Sequence, residues 1–133
     1  MNLQGFQRIK KIKRVPVKDG IPREEEEQKR VILFLRVYYP AILFCASAGG
    51  MRTSMKQAMK MKATGYISGF PDLFIYEPRS LYHGLAIEMK RIKGGVVSSE
   101  QKDWQEKLRT RGYRSEVCKG SIDAIKIIQE YLG

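Results

Sequence analysis

The sequence predicts an α/β fold in which a mixed sheet of about four strands has helices on its faces. Two apolar runs between Gly69 and Lys90 have the length and composition of β-strands, and segments with helical periodicity lie on both sides of them. The 133 residues, 43% of them hydrophobic, suffice for one core. We therefore expect one domain over residues 24–133, preceded by a basic arm over residues 1–23.

The arm is distinct in composition. It contains seven lysines and arginines against one acid, Asp19, and Pro16, Gly20 and Pro22 interrupt its second half. Such arms add salt-dependent affinity for phosphates, which is the role we expect here. The simpler alternative is a disordered, solubilising tail.

The first helix and strand follow the arm. Apolar residues from Val31 to Tyr38 repeat at helical spacing, which predicts a helix over residues 23–39 that Pro40 stops. The apolar run over residues 41–46 predicts a short strand. Cys45 lies in this run and is expected to be buried, and so is Cys118 at the end of a later apolar run.

A second helix is predicted over residues 52–63. Arg52, Lys56 and Lys60 fall at intervals of four, so they share one face, and no acid interrupts this segment. We expect that face to contact phosphate, although a merely solvated basic face is the alternative. Three methionines at the same interval line the adjacent face, which is expected to pack: Met51, Met55 and Met59.

The next two strands carry the most informative residues. Asp72 opens the first strand, and Glu88 and Lys90 close the second. Because side chains alternate along a strand, Glu88 and Lys90 face the same way and Met89 faces the packed side. The turn-rich segment over residues 77–80 folds the strands antiparallel, which brings Asp72 near Glu88.

The last three elements are a helix, a strand and a helix. The first of these helices starts at Ser98 or Ser99 and runs to Arg111, where Gly112 caps it. The rule of right-handed crossovers sets the following strand parallel to the Glu88 strand. In order, the predicted elements are a helix over 98–111, a strand over 113–118 and a helix that Ser121 caps.

The residues at the end of the hairpin suit a divalent cation. Carboxylate oxygens from Asp72 and Glu88 are ligands that Mg²⁺ prefers, Mn²⁺ could substitute, and the main-chain carbonyl of Met89 could add a ligand. Lys90 cannot ligate while charged. Its expected roles are to orient or activate an attacking water and to stabilise negative charge on a phosphorane.

Composition narrows the class of partner. The 25 lysines and arginines against 14 acids give a net charge of +11 and a pI of about 9.8, which favours a polyanionic partner. No run approaches the ~18 apolar residues of a membrane span, and the N-terminus lacks a signal peptide's apolar stretch, so we expect a soluble intracellular protein without a membrane partner. If a phage encodes it, the host cytoplasm is expected.

Other catalytic chemistries have little support. Cys45 and Cys118 are far apart, without Cys-x-x-Cys spacing or a partner histidine, so zinc and redox sites are not indicated. The single histidine, His83, is expected to be an ordinary turn residue. Trp104 and Leu108 form an i, i+4 pair that is expected to join the core.

The hairpin residues belong to a longer ordered string. This string is Gly-Phe-Pro-Asp-Leu over 69–73, Gly-Leu-Ala-Ile-Glu-Met-Lys-Arg over 84–91, Gly94-Gly95, Ser98-x-Glu100-Gln101 with Trp104, and Gly112-Tyr113. It resembles a known family, the virus-type replication-repair nuclease (VRR-NUC) domain of the PD-(D/E)xK nuclease superfamily. The resemblance covers about residues 24–132 and implies a restriction-endonuclease-like core.

The resemblance also implies two further site residues. An upstream glutamate that completes the metal site maps best onto Glu24, with Gln28 one helical turn later, and Glu27 is the second choice. The alternative is that the acids over residues 24–27 only complement the helix dipole. Gln101 resembles a residue that braces the site, and its alternative is a polar residue in the first turn of a helix.

The resemblance implies a Mg²⁺-dependent, structure-specific DNA endonuclease that cuts branched DNA or Holliday junctions in DNA repair. Standalone members often form homodimers, for which the arm and residues 40–44 are candidate interfaces. The alternative is a non-catalytic basic nucleic-acid-binding module of the same fold; an RNA-associated protein is a third possibility. The residues expected to contact DNA are Arg52, Lys56, Lys60, Arg91 and Lys93.

Overall fold

The computed structural model describes residues 19–47 and 54–133 and has the predicted α/β fold. Over these residues, four helices and four strands follow one another in the expected order. The elements are α1 Glu24–Tyr38, β1 Phe44–Ala46, α2 Met55–Ala63, β2 Leu73–Ile75, β3 Leu85–Lys90, α3 Ser99–Arg109, β4 Arg114–Lys119 and α4 Gly120–Leu132.

The strands form one mixed sheet in the order β1-β2-β3-β4. The first two pairings are antiparallel, and β3 and β4 are parallel. Both the hairpin of β2 with β3 and the parallel pairing after the α3 crossover are therefore confirmed. Leu73 pairs with Ile87, so Asp72 and Glu88 lie one residue beyond this pair, at the end of the hairpin away from its turn.

Helices cover both faces of the sheet. Leu85, Ile87 and Met89 of β3 face α1 and α4 in the main core cluster. Ala86 lies in a smaller cluster on the opposite face, with α3 and the partly buried Trp104. Because faces alternate along the strand, Glu88 and Lys90 also face α3. Among the described helices, none combines the length and apolar character needed to cross a membrane.

The structure corrects two expectations around β1. The strand begins at Phe44 rather than at residue 41, because the preceding chain turns, with the Ile42 N–H donating to the Tyr39 carbonyl at 3.1 Å. Cys45 is exposed, since β1 is the edge strand of the sheet that the described residues form. Cys118 is buried as expected, and burial raises the pKa of its thiol to about 12.

The methionines of α2 do not pack as predicted. Met55 is 82% exposed and Met59 66% exposed, and α2 contains no buried residue. The helix begins at Met55, where Ser54 provides a capping box with Gln57. Met51 and Arg52, which were also predicted to lie on this helix, lie outside the described residues.

The ends of α3 and α4 also differ from the prediction. Ser98 is the N-cap of α3, but the helix ends at Arg109, and Gly112 takes a left-handed φ of +87° beyond it. Ser121 does not cap α4. The helix begins at Gly120 without a side-chain cap from the preceding residue, and the Ser121 N–H donates to the distant Glu27 carboxylate.

Candidate metal centre and nucleic-acid interface

Three carboxyl groups meet at the end of the β2–β3 hairpin. Glu24 at the start of α1, Asp72 just before β2 and Glu88 in β3 each offer an oxygen, and these oxygens lie within 4.8 Å of one another. Glu88 is only 3% exposed, whereas Glu24 and Asp72 are half-buried. Three elements that are distant in sequence therefore supply one compact group of oxygen donors.

The position of Asp72 follows from the strand pairing. Its Oδ2 accepts a hydrogen bond of 2.8 Å from the Met89 N–H, which continues the contact of the two strands past their last paired residues. The carboxylate is thereby held beside Glu88 on the neighbouring strand. Alternation and the hairpin turn, both visible in the sequence, are sufficient to bring these two acids together.

Lys90 and Gln101 both reach the same oxygen of Glu88. The Lys90 ammonium is 3.4 Å from Glu88 Oε1, and the Gln101 amide donates to that oxygen at 2.6 Å. The Gln101 Oε1 also accepts from the Ser98 N–H at 2.9 Å, as part of a capping box. The two alternatives for Gln101 therefore coexist: its side chain caps α3 and contacts the acid cluster.

Gly69 brings α3 close to the acid cluster. A Cβ at this position would lie 2.6 Å from the backbone carbon of Glu100, and the φ of Gly69 is +89°. Any larger residue would be both strained and blocked by backbone. The glycine of the Gly-Phe-Pro-Asp string thus allows the loop before Asp72 to pack on the first turn of α3, next to Gln101.

The electrostatics of the cluster favour a bound cation. Burial, followed by repulsion from Asp72, raises the pKa of Glu88 to about 8, although Lys90 opposes the shift. Burial and the Asp72 charge also raise the pKa of Glu24. The cluster therefore binds protons more readily than isolated carboxyl groups do, and a divalent cation would remove the repulsion that causes this.

Stability of the metal-free protein should fall as the pH rises from about 4.5 to about 8. In this window the folded state keeps a proton on Glu88 that the unfolded chain, with an ordinary value of 4.5, has lost. The slope is at most about 1.4 kcal/mol per pH unit for one group, and Glu24 acts in the same direction. Urea unfolding in chelator at pH 5 to 8 measures how the free energy of unfolding changes with pH. Glu88→Gln should reduce the slope; stability that rises across the window would contradict the prediction.

Glu27 is not part of the cluster. Its side chain is buried, accepts the Ser121 N–H at the start of α4, and lies 3.3 Å from the Arg30 guanidinium. A carboxylate suits this position because the N-terminus of a helix has unpaired N–H groups and a positive dipole end. The sequence contained no local sign of this contact, which joins residues 94 positions apart.

Loss of the Glu27 side chain should destabilise the fold. Glu27→Ala would leave the buried Ser121 N–H unpaired, and we expect the free energy of unfolding to fall by about 1–3 kcal/mol. Glu25→Ala is the matched control on the same turn; this exposed acid should contribute less than about 0.5 kcal/mol. Urea unfolding compares them. Equal effects of the two substitutions would show that Glu27 is not an anchor.

The residues expected to contact DNA fall into three groups. Lys56 and Lys60 are exposed on α2, and Lys93 is exposed in the loop after β3. Arg91 instead binds its own chain, because its guanidinium contacts Asp19 and main-chain carbonyls near it. Arg52 lies outside the described residues.

The structure shows the surroundings of two aromatic side chains that the sequence analysis considered, Trp104 and His83. Trp104 packs edge-on against Phe70, with ring centroids 5.1 Å apart, and joins the smaller core cluster as expected. Its outer edge helps to line an open surface groove of about 460 Å³ between α3 and the loop at Ile67. His83 follows the hairpin turn and packs edge-on against Tyr113, so its surroundings fit a structural role.

Comparison with known proteins gives the family. The sequence model of the VRR-NUC domain matches residues 20–122, which is most of the chain. The protein belongs to the VRR-NUC family. A solved structure described as a VRR_NUC domain protein is 30% identical, with a TM-score of 0.70, and the match covers 84% of this chain and 88% of that one. None of the curated proteins matches the sequence.

Membership of the VRR-NUC family makes this a nuclease-type domain, and the donor set fits a hard divalent cation. Glu24, Asp72 and Glu88 offer only carboxylate oxygens. Among the described residues the cluster contains no cysteine or histidine, the ligands that softer metals favour. The acids could thus hold a metal ion.

Proposed function

We propose that this VRR-NUC protein is a Mg²⁺-dependent DNA endonuclease, with Mn²⁺ as a possible substitute. The observation that carries the proposal is the group of three carboxyl groups with Lys90 and Gln101 around Glu88. A protein that only bound nucleic acid would gain nothing from buried acids facing a phosphate backbone, because like charges repel. The domain bounds that we propose remain a basic arm over residues 1–23 and a nuclease domain over residues 24–133.

Each residue of the cluster has a distinct proposed role. Glu24, Asp72 and Glu88 would hold the metal, together with the Met89 carbonyl. When bound, Mg²⁺ supplies Lewis-acid polarisation of a phosphate oxygen and lowers the pKa of a nucleophilic water. Lys90 places a positive charge where negative charge develops on the phosphorane.

Gln101 would brace the site rather than bind metal. Its amide N–H donates to Glu88, and its oxygen is held by the Ser98 N–H, so the amide has a defined orientation. An oriented donor keeps the Glu88 carboxylate in one rotamer. Such support of a ligand typically matters about 10–100-fold in metal affinity or activity.

DNA would approach over the cationic surface. Lys56 and Lys60 are exposed on a helix without buried residues, and the proposed contacts also include Lys93, Arg52 and the arm. The net charge of +11 would attract the polyanion and steer its approach. Binding should therefore weaken steeply as salt concentration rises.

The preferred substrate that we propose is branched DNA, including Holliday junctions, cut by a homodimer. A two-fold pair would present two sites to two strands of a junction. Support for a dimer comes from β1, which is an edge strand and pairs with β2 alone among the described strands. Exposed apolar side chains on α1 and just before β1 add to this support. These are Leu33 and Val37 of α1 and Leu43, which lies within the candidate segment over residues 40–44.

Cleavage of matched DNA substrates tests the proposal. Linear duplex, flap and four-way-junction DNA of the same sequences would be incubated with the protein in Mg²⁺, Mn²⁺ or excess chelator. We expect symmetric nicks at the junction, lost in chelator. Cleavage in chelator would refute metal dependence, equal cutting of linear duplex would refute structure specificity, and salt-sensitive binding without any product would favour the non-catalytic module.

A further inference from the structure

Arg91 directly follows Lys90 at the end of β3 and binds the segment that leads into α1. Its Nη2 is 2.8 Å from both carboxylate oxygens of Asp19 and 3.1 Å from the Ile21 carbonyl oxygen. Its Nε donates to the Pro22 carbonyl oxygen at 3.4 Å. A guanidinium suits this task because its donors form a rigid fork that can bind several acceptors at once. The side chain is only 32% exposed.

The N-cap residue of α1, Arg23, makes no side-chain capping hydrogen bond. Apolar packing holds the helix further along, where Val31 and Leu35 are buried in the main core cluster. The next polar anchor is Glu27, which binds the start of α4. Glu24 lies between the two anchors, because Arg91 holds residues 19–22 on one side and Glu27 is one helical turn along on the other.

Glu24 needs such anchors in the metal-free protein. Its carboxyl oxygen lies within 4.8 Å of those of Asp72 and Glu88, and ionised carboxylates at this distance repel one another. Contacts outside the three carboxyl groups therefore help to hold the backbone that carries Glu24. Arg91 supplies such contacts from the residue that follows the strand carrying Glu88.

We propose that Arg91 is a positioning residue for Glu24: by binding residues 19–22 it holds the start of α1 so that the Glu24 carboxylate stays beside Asp72 and Glu88. The inference rests on the proposed metal-dependent function. It differs from the expectation that Arg91 contacts DNA phosphate, because the Nη2 and Nε donors of the guanidinium already contact Asp19 and two main-chain carbonyl oxygens.

The two roles predict opposite changes in metal affinity. Removing a cation near a divalent-metal site reduces repulsion and should tighten metal binding. Removing a positioning residue should weaken it, by about tenfold if the effect resembles that of other supporting residues. Arg91→Gln should therefore weaken Mn²⁺ binding, measured by titration calorimetry in the absence of DNA. Lys93→Gln removes a neighbouring exposed cation and should not weaken it.

Three further variants separate the contacts. Asp19→Asn keeps Arg91 but loses the paired carboxylate, so it should weaken Mn²⁺ binding in the same direction. Arg91→Lys keeps the charge but not the fork, so it should also weaken binding. In a Glu24→Gln background Arg91→Gln should cause no further loss, because the residue through which it acts has gone. Circular dichroism and thermal unfolding in chelator check that each variant folds. If Arg91→Gln does not fold, Asp19→Asn tests the inference in its place, because Asp19 is exposed.

The outcomes are distinguishable. Unchanged or tighter Mn²⁺ binding in both Arg91→Gln and Asp19→Asn would overturn the inference, and a reduced salt dependence of DNA binding in Arg91→Gln would then assign Arg91 to phosphate. An additional loss in the Glu24→Gln background would also overturn it. If the unaltered protein binds no Mn²⁺, the proposed function fails and the inference fails with it. The inference is supported if Mn²⁺ binding is weaker in both Arg91→Gln and Asp19→Asn, and if Arg91→Gln causes no further loss in the Glu24→Gln background.

Discussion

Replacing Asp72 with asparagine is expected to lower DNA cleavage by about 10³-fold or more while leaving the fold intact. Asparagine has the same shape, and its amide oxygen can still accept the Met89 N–H, so the contact between β2 and β3 survives. The substitution removes the negative charge of a proposed metal ligand in a partly buried site. This should lower the cleavage rate more than the loss of one preorganised hydrogen-bond donor does. The measurement is the rate of junction cleavage at saturating Mg²⁺.

The matched control is Asp103→Asn. Asp103 is an exposed acid on α3 that pairs with Lys107 at 2.7 Å, away from the carboxyl cluster. The two substitutions change net charge equally, so a general electrostatic effect on DNA binding would appear in both. Cleavage by Asp72→Asn at the unaltered rate would refute the proposed role of Asp72.

Asp72→Asn should also stabilise the metal-free fold at pH 8. Repulsion from Asp72 contributes to the raised pKa of Glu88, so removing that charge lets Glu88 ionise at lower cost. Urea unfolding in chelator should therefore show a shallower loss of stability towards pH 8 than in the unaltered protein. A variant that loses activity and gains stability together would identify Asp72 as a residue kept for function at the expense of stability.

Replacing Lys90 with methionine is expected to lower cleavage by about 10²–10³-fold without weakening metal binding. The Lys90 side chain is 9% exposed and 3.4 Å from Glu88, and methionine fills similar space without charge. A positive charge beside the carboxylates repels a divalent cation, so its removal should leave Mn²⁺ affinity equal or higher. Cleavage at saturating Mn²⁺ and calorimetric titration of Mn²⁺ give the two quantities.

This pair of results separates two roles for Lys90. If Lys90 only neutralises Glu88, the metal would replace it and cleavage by Lys90→Met would be normal at saturating Mn²⁺. If Lys90 stabilises charge during the reaction, cleavage falls whatever the metal concentration. Lys102→Met, at an exposed position of α3, controls for the loss of one positive charge in DNA binding.

Local patterns were sufficient to predict most of the fold. The order of the elements, the β2–β3 hairpin and the parallel β4 strand are all present as expected. The prediction was wrong where the exposure of a side chain depends on which distant residues pack against it, because a local sequence pattern does not show those residues. Met55 and Met59 repeat like packed residues, yet both are exposed in the part of the chain that the structure describes, and Cys45 is exposed on the edge strand β1.

The sequence by itself determined that Asp72, Glu88 and Lys90 lie close together, because strand alternation and a short hairpin are local and leave few other arrangements. Only the tertiary structure distinguished Glu24, which joins the carboxyl cluster, from Glu27, which binds the start of α4. It likewise decided that Arg91 binds residues 19–22. These choices depend on contacts between residues far apart in the sequence: 72 positions separate Arg91 from Asp19, and 94 separate Glu27 from Ser121. Side chains of the same type on the same helical turn differ only in which distant surface they contact.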